Sequence, residues 1–356
     1  MKTLSAPLQF RLKRLLSGRA MRAGETAAPT TTHWHAASCI DKVLETPDTA
    51  TYRLLPAVPM GRFGAGSHVN IAVTINGKRV TRTYSISSNP KQPIAFDITV
   101  KKVPNGVVST WLFDHFGPGD TLEISLPAGD FVLPEQPAGK LVLLSAGSGI
   151  TPVMSMLRYL VSSGNRSEIH FLHYARSPAD VIFADSLKQI AEQHPNVTLQ
   201  VIVEAADEHW PGATGRVAAE HFPAMGEAEV YLCGPQPFMQ AAGGILSQSG
   251  AAAWRIHQEY FTADDATRVD VASQAPVTFT SLGSAEPTRS RTLLDEAERR
   301  GLAPEAGCRQ GLCKSCRCEK VSGEIVNLLT GVRSSADNET ILPCVTQAIG
   351  PVVIKL

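Results

Sequence analysis

Between His33 and about Leu133 the apolar residues come in short alternating runs separated by Gly and Pro turns. This pattern predicts β-strands at Tyr52–Leu55, His68–Val73, Thr81–Ser87, Ala95–Lys101 and Thr121–Leu126, with one helix around Val107–Phe116. Regular short strands divided by turn residues predict an antiparallel barrel. From Lys140 the pattern changes. Leu141–Ser145 is a continuous apolar strand and Pro152–Ser162 has helical spacing, followed by a strand at Ile169–Tyr174 and a helix through Val181–Gln193. Val197–Val203 and Val230–Cys233 read as further strands, with a helix after Pro237 and a last strand near Arg255–Gln258. All-apolar strands alternating with helices predict a doubly wound parallel sheet.

Thr262–Ala275 is polar, acidic and aperiodic, as a linker would be. The remaining stretch predicts a small domain with a strand at Val277–Ser281, a helix at Thr292–Arg300 and a cysteine-rich loop. At the other end, Leu8, Leu12, Leu15 and Leu16 fall at helical spacing among Arg11, Lys13, Arg14 and Arg19. This basic leader reads either as a loosely attached tail or as an amphipathic helix lying on a membrane surface or a partner. The expected division is thus multidomain, α+β and α/β: leader 1–32, barrel 33–138, parallel-sheet domain 139–261, linker 262–275 and small domain 276–356.

A length of 356 residues agrees with more than one core. Formal net charge is zero, which gives no support for nucleic-acid binding. No apolar run is long enough to span a bilayer, and the N-terminus lacks a secretory pattern, so a cytoplasmic location, with the leader touching a membrane at most, is the expectation. Five of the seven cysteines fall between Cys308 and Cys344, which argues for a metal or cluster site over a disulfide framework.

Cys308, Cys313 and Cys316 have C-x4-C-x2-C spacing, and Cys344 follows 28 positions later. Four thiolates at this spacing form the plant-type 2Fe–2S pattern. Gly307 and Gly311 allow the loop's N–H groups to approach such a cluster, and Cys318 is the spare cysteine. Zinc is the competing reading, but the second knuckle it needs is missing.

Arg82, Tyr84 and Ser85 place a cation, a planar aromatic and a hydroxyl on one strand, the set a flavin requires. Taken with Asn105-Gly-Val-Val-Ser-Thr-Trp-Leu112, the stretch resembles the flavin domain of the ferredoxin–NADP reductase superfamily. That resemblance implies that Arg82–Ser85 binds isoalloxazine and phosphate. It also implies that Gly106, Val107, Val108 and Ser109 hold a pyrophosphate at a helix start, hence FAD.

Gly147-Ser-Gly149-Ile-Thr151-Pro152 is a glycine turn opening a helix, and Pro152 suits the first helical position. It is not G-x-G-x-x-G, which disfavours an ordinary dinucleotide dehydrogenase. With Cys233-Gly234-Pro235 and Glu259-Tyr260-Phe261 it resembles the nucleotide domain of the same superfamily. The resemblance implies that Thr151 and the Cys-Gly-Pro turn flank a nicotinamide, with Cys233 a packed residue and not a nucleophile. Phe261 or Tyr260 would cover the flavin, and Arg176 would contact the ribose or a 2′-phosphate of NADH or NADPH.

The order flavin, nucleotide, ferredoxin-like (β-grasp) domain resembles the reductase components of oxygenases and the NADH reductase of hybrid-cluster protein, the latter also through Arg176–Asp185. Asn327–Gly331, Ser334-Ser335 and Val352–Ile354 resemble reductase partners of acyl-CoA desaturases. Lys314 departs from these relatives, which mostly carry Gly. The expected activity is electron transfer from NAD(P)H through FAD to 2Fe–2S and on to an oxygenase, desaturase or hybrid-cluster protein. A flavin/cluster redox sensor and a flavin oxidase acting on a small molecule are the competing readings.

Overall fold

A computed structural model describes residues 33–261 and 274–356, apart from 93, 207, 308, 310, 312 and 313. The basic leader, most of the linker, and Cys308 and Cys313 lie outside the described residues.

The first domain is one antiparallel sheet in the order β4-β3-β6-β1-β2-β5. Its strands are β1 (His35–Thr46), β2 (Thr49–Pro56), β3 (His68–Ile75), β4 (Lys78–Ser85), β5 (Phe96–Lys101) and β6 (Thr121–Ile124). An isolated bridge between Ile86 and Ile98 joins the two edges, so the sheet curls into the expected barrel. Its interior is filled by residues such as Tyr52, Leu54, Ile71 and Ile98. The long β1 was not among the predicted strands. Its outward residues include Ile40, Val43 and Leu44, so alternation is blurred. Helix α1 (Val107–His115) lies where it was expected.

The second domain is wholly parallel, in the order β10-β9-β8-β7-β11-β12. It contains β7 (Lys140–Ala146), α2 (Ile150–Ser162), β8 (Glu168–Ala175), α3 (Ala184–Gln193), β9 (Val197–Val203) and β10 (Ala213–Thr214), then β11 (Glu229–Gly234), α4 (Gln236–Gln248) and β12 (Ile256–Tyr260). Strand order reverses between β7 and β11, which opens a crevice at their C-terminal ends. Helix α3 begins at Ala184 and not at Val181, because Val181–Phe183 turn inward to be buried and Phe183 takes a left-handed backbone (φ 62°).

The third domain is a mixed sheet, β14-β13-β18-β15-β16, with β17 paired to β15. Its strands are β13 (Pro276–Phe279), β14 (Ala285–Pro287), β15 (Cys318–Asn327), β16 (Arg333–Ser334), β17 (Glu339–Ile341) and β18 (Thr346–Lys355). Helix α5 (Leu293–Arg299) lays Leu293 and Ala297 on Val277 and Ile354. Only the first strand and the helix were predicted. The long hairpin of β15 and β18 has irregular register near Lys320–Ile325, which breaks the alternation.

The first two domains are joined through α2. Arg158 Nη1 donates to the Ser87 carbonyl at 2.8 Å, and Ser155 Oγ to that of Ser88 at 2.7 Å. The guanidinium also lies over Phe183, 4.7 Å from the ring centroid. Arg158→Ala would leave the Ser87 carbonyl without this charged donor, a loss of about 2 kcal/mol. A lower unfolding midpoint, measured with flavin bound, is the expected result; an unchanged midpoint would show that the clamp is idle.

Candidate functional site

Three sets of residues predicted from sequence are brought to one region. On β4, Thr83 and Ser85 are buried while Arg82 and Tyr84 point to the other face, partly buried. Tyr84 packs against the barrel core, and burial pushes its phenol well above the usual range. Gly106 is extended and α1 has no side-chain cap. The first-turn N–H groups of Val107, Val108 and Ser109 therefore have no partner within the helix, which suits an anionic group. Ser109 Oγ lies 3.4 Å from both the Val103 N–H and the Gly106 carbonyl, so it tightens the loop.

On the nucleotide side, Gly147–Gly149 forms a tight turn after β7, and α2 begins at Ile150. Pro152 is therefore the third helical residue and not the first, still within the turn whose N–H groups lack helical acceptors. Gly149 crosses the end of β11, where an added Cβ would stand 2.3 Å from the Cys233 carbonyl oxygen. The Gly147–Pro152 and Cys233–Pro235 stretches thus meet at the crevice. Thr151 is buried and donates to the Ser148 carbonyl at 3.1 Å. Cys233 is fully buried, and burial holds its thiol protonated, which suits packing and not attack. Phe261 packs on the same core as Cys233, whereas Tyr260 packs on the opposite side of the sheet. Arg176 is exposed just beyond β8, away from the crevice floor, and Ser177 Oγ donates to Asp180 at 2.7 Å.

Two site residues escaped the sequence reading. Glu259, on β12, is buried with Oε2 lacking a hydrogen-bond partner, and its Oε1 lies 4.0 Å from His68 Nδ1. Burial raises its carboxyl to about 8, partly offset by Ser85 and Lys314. Burial likewise lowers His68 to about 4, with Lys314 acting in the same direction. At neutral pH both groups are uncharged, so the contact is between neutral side chains and not an ion pair. Glu259 heads the Glu-Tyr-Phe stretch, which was the available signal; His68, inside an ordinary strand pattern, offered none.

A pH dependence follows. Glu259 has a raised folded value, so its contribution to stability is present below about 4.5 and is lost as pH rises through about 8. Thermal melts should therefore show Glu259→Gln gaining on wild type across that window. An advantage that is flat with pH would contradict the assignment.

In the third domain Cys316 and Cys344 are buried, with sulfurs 3.3 Å apart, in a pocket formed with Leu294 and Val345. Two thiols converge from the foot of β15 and the turn before β18, as half of the expected four-thiolate cage would, with Cys308 and Cys313 the expected remainder. Burial, with Cys316 nearby, pushes the Cys318 thiol up to about 12, and its side chain packs against the β15–β18 core.

Three families match successive stretches of the chain. The "Oxidoreductase FAD-binding domain" family matches residues 37–133, the "Oxidoreductase NAD-binding domain" family 143–243 and the "2Fe-2S iron-sulfur cluster binding domain" family 282–348. The chain is 34% identical to the glycine betaine monooxygenase reductase subunit of Pseudomonas aeruginosa, over 91% of this chain and 97% of that one. It is 30% identical to the stachydrine N-demethylase reductase subunit of Rhizobium meliloti, over 89% and 95%. Among solved structures it resembles phthalate dioxygenase reductase at 26% identity, covering 91% of this chain and 98% of that one with a TM-score of 0.64.

Proposed function

The chain belongs to the family of three-domain oxygenase reductases with FAD-binding, NAD-binding and 2Fe–2S domains, and from that premise we propose that its electrons go to a terminal oxygenase acting on an N-methylated ammonium compound. The likeness that carries this reading is the near-full-length match to the betaine monooxygenase and N-demethylase reductase subunits. It is an oxidoreductase that passes electrons from NAD(P)H via FAD to a 2Fe–2S cluster.

When held by this chain, a flavin would supply the chemistry that couples two-electron hydride transfer to one-electron transfer. The protein's own contribution is positioning. Tyr84 and Arg82 would hold the ring and phosphate, and the amides of Val107–Ser109 the pyrophosphate. The Gly147–Gly149 turn and the Cys233–Pro235 turn would shape the nicotinamide crevice, with buried Cys233 and half-buried Phe261 excluding water. Neutral Glu259, beside Ser85, would offer a carboxyl hydrogen-bond donor toward the reacting rings without adding charge.

NADH is the favoured donor. The Asp180 carboxylate engages Ser177, and the Ala205 N–H donates to the Arg176 carbonyl, which brings the acidic Glu204 close to the same strand end. Carboxylates here suit a ribose hydroxyl, although Asp180 also pairs with Lys101 at 3.7 Å and Glu204 with Arg216 at 3.5 Å. The kcat/KM for NADH should exceed that for NADPH by about tenfold or more. A preference for NADPH would reverse this assignment.

No helix among the described residues is long and apolar enough to cross a membrane. The oxygenase reading is tested by reconstitution. Purified reductase, NADH and candidate terminal oxygenases are combined, and formaldehyde release from an N-methylated ammonium substrate is measured. Support of a desaturase or hybrid-cluster protein alone would overturn it.

A further inference from the structure

We propose that Lys314 and Asp130 form an electrostatic latch that seats the cluster domain on the flavin domain and so sets the flavin-to-cluster distance. The two side chains make an ion pair between positions 184 residues apart, joining the cysteine loop to the segment after the barrel. Lys314 lies between the cluster cysteines Cys313 and Cys316 in sequence. A pull on this side chain therefore acts on the cluster loop itself.

The backbone at this position makes the lysine informative. Its φ is +56°, a left-handed conformation that glycine adopts freely and a lysine does not. A side chain retained at such a place supplies something glycine lacks, and here it supplies the cation facing Asp130.

The anionic half is held firmly. Ala128 pairs with His68 through both backbone hydrogen bonds, each 2.9 Å, and Phe131 is buried in the core of the nucleotide domain. Asp130 thus projects from a segment fixed on both sides, while its carboxylate stays exposed. The Lys314 charge lowers the carboxyl of Asp130 and also acts on Glu259 of β12, so the cation sits where the barrel adjoins β12. A second contact supports the same seating: Gln236 Nε2, at the start of α4, donates to the Leu329 carbonyl at 3.1 Å. The cluster domain therefore touches both other domains, and an exposed ion pair, with Arg317 also near Asp130, supplies a charged part of that contact.

The inference rests on the reductase reading above. One electron moves per step from reduced flavin to oxidised cluster, no bond forms or breaks, and two steps discharge what one hydride delivers. Exposed pairs are weak and screened by salt, so the latch is adjustable.

The test uses the full-length holoenzyme and the variants Lys314→Gly, Asp130→Asn and the charge swap Lys314→Asp with Asp130→Lys. Glycine relieves the left-handed strain, so that variant retains its fold. Anaerobic stopped-flow follows flavin bleaching by NADH and then cluster reduction. Small-angle scattering follows the maximum dimension from about 20 mM to about 0.5 M salt. In wild type, cluster reduction should slow about threefold across that range while the particle extends. Each single variant should start about threefold slower in low salt, already extended and insensitive to salt, with bleaching unchanged; the swap should restore both readouts. Wild-type rates and dimensions in the single variants, or a swap that restores neither, would overturn the latch. Failure of NADH to bleach the wild-type flavin would count against the reductase reading instead.

Discussion

Cys344→Ser is expected to slow NADH-driven reduction of a one-electron acceptor such as cytochrome c by roughly 100-fold or more, with flavin bleaching left intact. Cys344 is buried, its sulfur stands 3.3 Å from that of Cys316, and it sits in the short turn Pro343–Val345 that leads into β18. Serine is nearly isosteric, so the apolar wall of Leu294 and Val345 keeps its packing. What is lost is the soft thiolate that an iron of the cluster requires. The hydride crevice is built from β7, β11 and β12 of the nucleotide domain and should be unaffected. The measurement pairs the steady-state rate with the low-temperature paramagnetic resonance signal of the reduced protein. Full turnover with the signal absent would mean that electrons leave by another route.

The second large effect is expected at Gly149. Gly149→Ala places a methyl group 2.3 Å from the Cys233 carbonyl oxygen and 2.7 Å from the Gly234 Cα. Both are backbone atoms that no rotamer change can move, so the end of β11 must shift away from α2. Forced backbone displacement in a packed domain costs about 1–3 kcal/mol. The same movement separates the two turns that shape the nucleotide crevice, and the rate of flavin bleaching should fall by about tenfold or more. Gly147→Ala is the control. Its φ is +52°, but nothing lies within 4 Å of an added Cβ. Only the left-handed penalty applies, about 1 kcal/mol. Steady-state kinetics and thermal melts should rank Gly149→Ala well below Gly147→Ala; the reverse order would show that the clash is relieved elsewhere.

The parts most legible in the sequence were those whose physics is local. The predicted strand Leu141–Ser145 lies within β7, because a parallel strand buried on both faces reads as an unbroken apolar run. Tyr84 and Arg82 share a face because alternation in a strand is set by the backbone. Where a local rule was disturbed, reading failed. The outward apolar residues of β1 hid a strand, the irregular register of β15 hid a hairpin, and the turn Gly147–Gly149 moved Pro152 two places into its helix.

By itself the sequence determined the order of three domains and the chemistry each carries: an aromatic and a cation on a barrel strand, a glycine turn opening a helix, and cysteines spaced for a cluster. These depend on contacts spanning a few residues, where backbone geometry dictates the outcome. Only the tertiary structure decided how the domains meet. Arg158 reaches Ser87 across 71 positions, Glu259 on β12 comes beside His68 on β3, and Lys314 pairs with Asp130 across 184. Nothing local to any of these residues names its partner, even where the residue itself stood out, as Lys314 and Glu259 did. Each role arises from burial, charge and proximity that exist only once distant segments have packed together.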